Sequence, residues 1–166
     1  MSKTKQSPVE RRLARLTDAV REAGIKLTHQ RIEIFRELAG TEEHPDAETL
    51  FEAVRKRMPT VSLDTVYRTL STLQELGLVK TIGQQGGGTR FDANIEPHHH
   101  YVCVSCGMIR DFESKELNSL RLPGTVRQLG TILDANVEVR GLCAKCQGRK
   151  KASTRPNSKS KQRNMP

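Results

Sequence analysis

The chain has 166 residues, 35% of them hydrophobic and 28% charged, with a formal net charge of +9 and no tryptophan. That length allows one packed domain or two small ones, and no window approaches the roughly 18 apolar residues of a membrane span. The charge favours an anionic partner but is lopsided: residues 148–166 hold seven Lys or Arg and no acid, so charge alone does not argue for nucleic acid.

In chain order, four helical patterns come first. Val9 to Ala23 sets Leu13, Leu16 and Val20 on one side at three- and four-residue spacing. Thr28 is placed to cap a helix carrying Ile32, Ile34, Phe35 and Leu38, with Gly40 as its stop. Asp46 caps AETLFEAVRKR, which buries Leu50, Phe51 and Val54 and ends before Pro59. Ser62 caps LDTVYRTLSTLQEL, with Val66, Leu70 and Leu73 inward and Gly77 as terminator. Two strand patterns follow, LVKTIG and TRFDA, around QQGGG, whose glycines suit a hairpin. Helices followed by a two-stranded hairpin form the order of a winged helix, whose last helix enters the major groove. A small α+β domain with no such partner has the same order.

NIEP, residues 94–97, marks a break. Beyond it HYVCV and MIRDF read as strands, SKELNSLRL as a helix capped by Ser114, and NVEVRGLC as an alternating strand. The expected architecture is α+β: a winged-helix domain over 1–93, a hinge over 94–97, a small α/β domain over 98–147 and a disordered basic tail over 148–166. The second domain is too small to rely on its own core and should need a metal or a partner copy.

The cysteines form two knuckles of identical spacing, Cys103-x-x-Cys106 and Cys143-x-x-Cys146. The opening MSKTKQSPVERR has no apolar stretch, so the expectation is a cytoplasmic protein whose thiols stay reduced and serve as ligands. A two-residue gap turns both sulfurs of a knuckle to one side, as tetrahedral zinc needs, and four protein ligands leave no open position. The site is therefore read as structural zinc. The rival, redox chemistry, expects a helix N-terminus beside each pair and only one pair.

With the thiols assigned, HHHYVCV needs its own explanation. On a strand, His98 and His100 face one side and His99 the other, while Asp111 falls on the partner strand of a hairpin. Asp92 and His44 lie in the first domain. Imidazoles with two carboxylates suit Fe(II), Mn(II) or Zn(II). The plainer alternative is a run of solvated loop histidines.

GIKLTHQR, HPDAETLFEAV, SLDTVYRTLSTLQELGLV, TRFD, HHHYVCVSCGMIRDF and GLCAKC together resemble the ferric-uptake-regulator superfamily, over residues 20 to 147. The resemblance implies a metal-dependent repressor that binds palindromic operator DNA as a homodimer, with no membrane and no small organic substrate. It implies a regulatory Fe(II) or Mn(II) site of His44, Asp92, His98, His100 and Asp111, beside the Zn(II) of the four cysteines. Where the iron-uptake branch has Glu, this chain has Asp111, and GTILDANVEVRGLC lacks the histidines of a further site. Both features are similar to the peroxide-sensing branch, in which His44 and His98 occupy the positions oxidised. The resemblance also places Lys26, Ser62, Thr65, Tyr67 and Arg68 at the DNA. The stretch before the second knuckle is shorter than the family's, and the basic tail lies outside its pattern.

Two other classes remain for comparison. A metal-dependent hydrolase would use His98, His100 and Asp111 around an open position, yet neither HExxH nor a nucleophile elbow occurs. A zinc-knuckle RNA binder needs exposed aromatics, and the chain has two Tyr and four Phe.

Overall fold

Side-chain caps start the first four helices of the computed structural model, which describes residues 6–82 and 88–153. Helix α1 (Pro8–Glu22) opens one residue before the hydrophobic pattern does, because Pro8 suits the first turn and Ser7 and Glu10 form a reciprocal capping box. Helices α2 (His29–Ala39), α3 (Ala47–Arg55) and α4 (Leu63–Glu75) begin after Thr28, Asp46 and Ser62, each accepting from the amide three residues on. Gly77, at φ +67, ends the α4 run in a conformation glycine adopts without strain. The inward stripes of these helices meet in one core, centred on Leu16, Ile34, Phe35, Leu50, Val66 and Leu70.

Strands β1 (Lys80–Ile82) and β2 (Arg90–Asp92) pair antiparallel, with Thr81 opposite Phe91. Phe91 closes the base of the core, and its amide donates to the Pro45 carbonyl at 3.0 Å, tying the hairpin to the α2–α3 turn. The turn expected of QQGGG lies, apart from Gly88, outside the described residues. A second sheet has the order β4-β3-β5: β3 (His99–Cys103) pairs antiparallel with β4 (Ile109–Phe112) and parallel with β5 (Glu138–Gly141). The strands expected of HYVCV, MIRDF and NVEVRGLC are all present, the first shifted one residue toward the N-terminus and the other two shortened.

The remaining elements differ from expectation. SKELNSLRL gives a single turn, α5 (Lys115–Asn118), and Pro123 then opens a second single turn, α6 (Gly124–Arg127). Pro123 turns Leu122 away from helical geometry, and α5 buries no side chain that would hold further turns. Helix α7 (Ala144–Ser153) covers residues 148–153, which were expected as disordered tail. Its Ala, Lys, Gln and Arg content is helix-forming, and the second knuckle lies at its start. The tail expectation for 154–166 falls outside the described residues.

Beyond residue 97 the core is thin. Cys103, Ile109 and Cys146 are its buried apolar side chains, while Leu129 and Leu133 are 87% and 95% exposed. The small sheet thus leaves apolar surface uncovered in the single chain. Three ion pairs tie it and the 94–97 linker to the helical part: Arg15 with Glu96 at 2.6 Å, Arg110 with Glu43 at 2.7 Å and Lys80 with Asp134 at 2.7 Å. No helix among the described residues is long and apolar enough to cross a membrane.

Candidate metal centres

Parallel pairing of β5 with β3 sets Cys103 opposite Gly141, so both cysteine knuckles arrive at the same end of the sheet. Gly107, at φ +71, lets the first knuckle fold back, its amide donating to the Cys103 carbonyl at 2.9 Å. All four sulfurs lie within 4.8 Å of one another, and all four cysteines are free thiols. Cys106 Sγ and Cys143 Sγ are 3.8 Å apart. Tetrahedral zinc with bonds of about 2.3 Å requires about that spacing, whereas a disulfide requires about 2.0 Å.

The sulfurs are electrostatically unequal. The Cys143 amide donates to Cys103 Sγ at 3.3 Å and draws that thiol down to about 6. The Met108 amide also lowers Cys106, but the neighbouring sulfurs outweigh it and push that thiol up to about 11. Four thiols that cannot all ionise unaided, packed at ligand distance, are what a divalent cation relieves. The second knuckle does sit at a helix start, as the redox reading requires. The first does not, and the four sulfurs converge as one group.

The second cluster gathers five residues from four parts of the chain. His44 turns the chain between α2 and α3 at φ +47, the one positive φ outside glycine among the described residues. Asp92 ends β2, His98 and His100 come from the start of β3, and Asp111 lies opposite His100 on β4. His44, Asp92, His98 and His100 each offer a ligand atom, all within 4.8 Å of one another. Asp111 Oδ1 lies 2.8 Å from His44 Nε2, 3.6 Å from His98 Nε2 and 3.5 Å from His100 Nε2. His98 Nε2 is 2.9 Å from both Asp92 Oδ2 and His100 Nε2.

These atoms face a common point rather than hydrogen-bonding in pairs. Asp92 Oδ2 and Asp111 Oδ1 are buried and have no hydrogen-bond partner. His98 Nδ1 lies 2.7 Å from the Glu96 carbonyl, which assigns the proton there and leaves the Nε2 lone pair toward the cluster. Asp92 Oδ1 is held separately, accepting from the Asn94 amide at 2.6 Å. Two buried, unpartnered carboxylate oxygens beside the Nε2 lone pair of His98 and two further imidazoles fit a divalent cation. Charge follows the same logic. Burial lowers His44 against the pull of Asp111 and Asp92. Burial works against ionised Asp92, yet the imidazoles of His100 and His98 beside it hold it below the usual carboxylate range. His98 is raised by Asp92.

His99 points the other way, as strand alternation requires. Its Nδ1 accepts from the Val137 amide at 3.2 Å and its ring lies 5.4 Å from that of Phe112. The solvated-loop alternative fails, since His98, His99 and His100 are all buried.

On α4 the expected contact residues face outward. Tyr67 is 46% exposed, with its hydroxyl donating to Glu48 at 2.6 Å, so it is no packing aromatic. Arg68 is exposed and pairs with Asp64 one turn back at 2.9 Å. Ser62 serves as the helix cap, its hydroxyl 2.8 Å from that of Thr65. Lys26 is exposed on the α1–α2 loop, and its carbonyl accepts from Arg31. Arg110 on β4 and Glu43 in the α2–α3 turn, which pair beside the His/Asp cluster, carried no signal in the sequence. Their pairing spans 67 residues.

A sequence model of the Ferric uptake regulator family matches residues 22–137. The peroxide-responsive repressor PerR of Staphylococcus aureus (strain Mu50) is 31% identical over 139 residues, covering 84% of this chain and 94% of that protein. The ferric uptake regulator Fur of Helicobacter pylori superposes with a TM-score of 0.69 at 24% identity, over 89% of this chain and 97% of that one. The peroxide stress regulator of Campylobacter jejuni gives a TM-score of 0.62 at 31% identity, over 81% of this chain and 98% of that one.

Proposed function

The chain belongs to the Ferric uptake regulator family of metal-responsive repressors, and we propose that it is a peroxide-sensing member that binds palindromic operator DNA as a homodimer. The carrying observation is the convergence of three imidazoles and two carboxylates, with Asp92 Oδ2 and Asp111 Oδ1 buried and unpartnered. In this reading Cys103, Cys106, Cys143 and Cys146 hold a structural Zn(II). His44, Asp92, His98, His100 and Asp111 hold a regulatory Fe(II) or Mn(II). Bound Fe(II) would supply the reducing electrons that turn hydrogen peroxide into an oxidant beside the ligand rings.

The chain's own residues do the rest. His44 and Asp92 ride on the helical part, whereas His98, His100 and Asp111 ride on the β3–β4 hairpin. Holding all five at one point fixes the angle across residues 94–97, and in a dimer it fixes the separation of two α4 helices. Tyr67 and Arg68 on the outer face of α4 meet base edges, with Lys26 alongside in a narrow minor groove. Ser62 and Thr65 meet the backbone at the helix start. The exposed Leu129 and Leu133 supply apolar surface for a second copy. A ring that has gained oxygen binds metal poorly, which frees the angle and releases the operator.

The support for peroxide sensing is Asp111, where the iron-uptake branch carries Glu, together with the likeness to peroxide-responsive relatives. An iron-responsive repressor without peroxide chemistry is the competing reading. Mass spectrometry after near-stoichiometric peroxide decides between them. The Fe(II)-loaded protein should gain one oxygen on the peptide carrying His44 or His98, and the Mn(II)-loaded protein should gain none. An unmodified Fe(II) protein would remove peroxide sensing and leave the iron-responsive reading.

A further inference from the structure

A cleft of about 480 Å³ opens onto one side of the His/Asp cluster, reaching Asp92, His98 and Asp111 from solvent. On this side the cluster is least covered: the Asp111 side chain is 28% exposed, against 3% to 6% for His44, Asp92, His98 and His100. Asp92, itself 5% exposed, has Oδ2 buried and unpartnered at the cleft's inner end. The lining has four carboxylates, Glu42, Asp92, Asp111 and Glu113, against the guanidiniums of Arg12 and Arg110. Only Arg110 is paired with an acid; Arg12 keeps its charge, so the lining is net negative by its four carboxylates. Arg12 donates to the Ala39 carbonyl at 2.8 Å, and Arg110 pairs with Glu43 at 2.7 Å. Glu42 and Glu113 are exposed on the outer part, with no ion-pair partner among the described residues.

We infer that this cleft is the access route for the divalent cation, and that Glu42 and Glu113 concentrate the cation at its mouth without ligating it in the final site. The inference rests on the reading of the His/Asp cluster as a metal site. A cleft whose lining is net negative raises the local concentration of a cation at its mouth. The effect acts on the rate of arrival, because neither carboxylate belongs to the group of atoms that would hold the ion. A second cleft, of about 430 Å³, reaches His100 from the β1–β5 side, but the Lys80–Asp134 ion pair at 2.7 Å joins two of its walls.

The test is stopped-flow competition between zinc-loaded protein and a fluorescent chelator for Mn(II), at low and at molar salt. The double variant Glu42→Gln/Glu113→Gln should slow association roughly threefold or more at low salt, with that difference lost at molar salt. Its dissociation rate should stay within about twofold of the wild type, as expected of a purely steering role. Removing the same charge elsewhere, by Glu22→Gln/Glu52→Gln, should leave association unchanged. An unchanged association rate in Glu42→Gln/Glu113→Gln overturns the route, as does slowing by Asp134→Asn/Glu138→Gln instead. Failure of the wild type to bind Mn(II) at all overturns the site, and the route with it.

Discussion

His44 meets two demands that pull against each other. Its backbone sits at φ +47, where a Cβ is crowded, and Pro45 follows directly. That turn throws the imidazole inward to 2.8 Å from Asp111, where the side chain is 3% exposed and its Nδ1 has no partner. A strained, buried, half-satisfied histidine is worth its destabilisation only through what Nε2 binds. In zinc-loaded protein free of the regulatory metal, His44→Gly should therefore unfold at higher urea than His44→Ala, by about 1 kcal/mol, because glycine relaxes the backbone. Both variants should lose Mn(II) binding equally. An alanine variant as stable as the glycine one would show that the turn is unstrained. The sequence offered His44 as an optional third imidazole, and only the resemblance of HPDAETLFEAV put it firmly in the set, since nothing local in EEHPDAE reports an inward-facing ring.

Among elements, legibility tracked how local the determinants are. The α2–α4 starts were readable because a cap and an apolar stripe lie within one turn of each other, whereas the Ser7 cap of α1 went unread. The register that opposes Asp111 to His100 is the structure's, but the β3–β4 hairpin was readable enough to put Asp111 on the strand beside the histidines. The parallel β3–β5 pairing was not, since nothing local couples Cys103 to Gly141 across so much chain. Helices α6 and α7 were missed because a single turn after proline, and a basic run, resemble loop and tail in composition. Helix α4 joins local geometry to function. Its outer face presents Tyr67 and Arg68, each held by an acid, Glu48 and Asp64. An exposed i,i+4 pair contributes only about 0.3–0.5 kcal/mol, so Arg68 is free to exchange Asp64 for a base edge. Arg68→Ala should thus cost about 1–3 kcal/mol of operator affinity by gel shift while melting temperature and metal content hold. Equal binding by the variant would make Arg68 a solvated side chain.

At the scale of the whole molecule, the question is what holds the helical part against the small sheet. The three bridging ion pairs are largely exposed, with side-chain exposures of 51% and 63% for Arg15–Glu96, and pairs of that kind contribute about 0–1 kcal/mol each. Turning a population from 1:99 to 99:1 takes about 5.5 kcal/mol, which such pairs do not reach together. If the five-residue cluster holds an ion as proposed, it takes ligands from both parts, and among the described residues it is the junction through which metal binding would act on that scale. Chelating the regulatory ion while leaving the four-cysteine zinc in place should therefore keep the fold and the dimer but loosen their mutual orientation. Hydrogen exchange should rise at β1–β2 and residues 94–97, with helices α1–α3 unchanged. Operator binding should fall at least tenfold in the same preparation and return on adding Mn(II). If the stripped, zinc-loaded protein holds its operator as tightly as the loaded one, the His/Asp cluster is a stability feature and the orientation of the two parts is set by something other than metal.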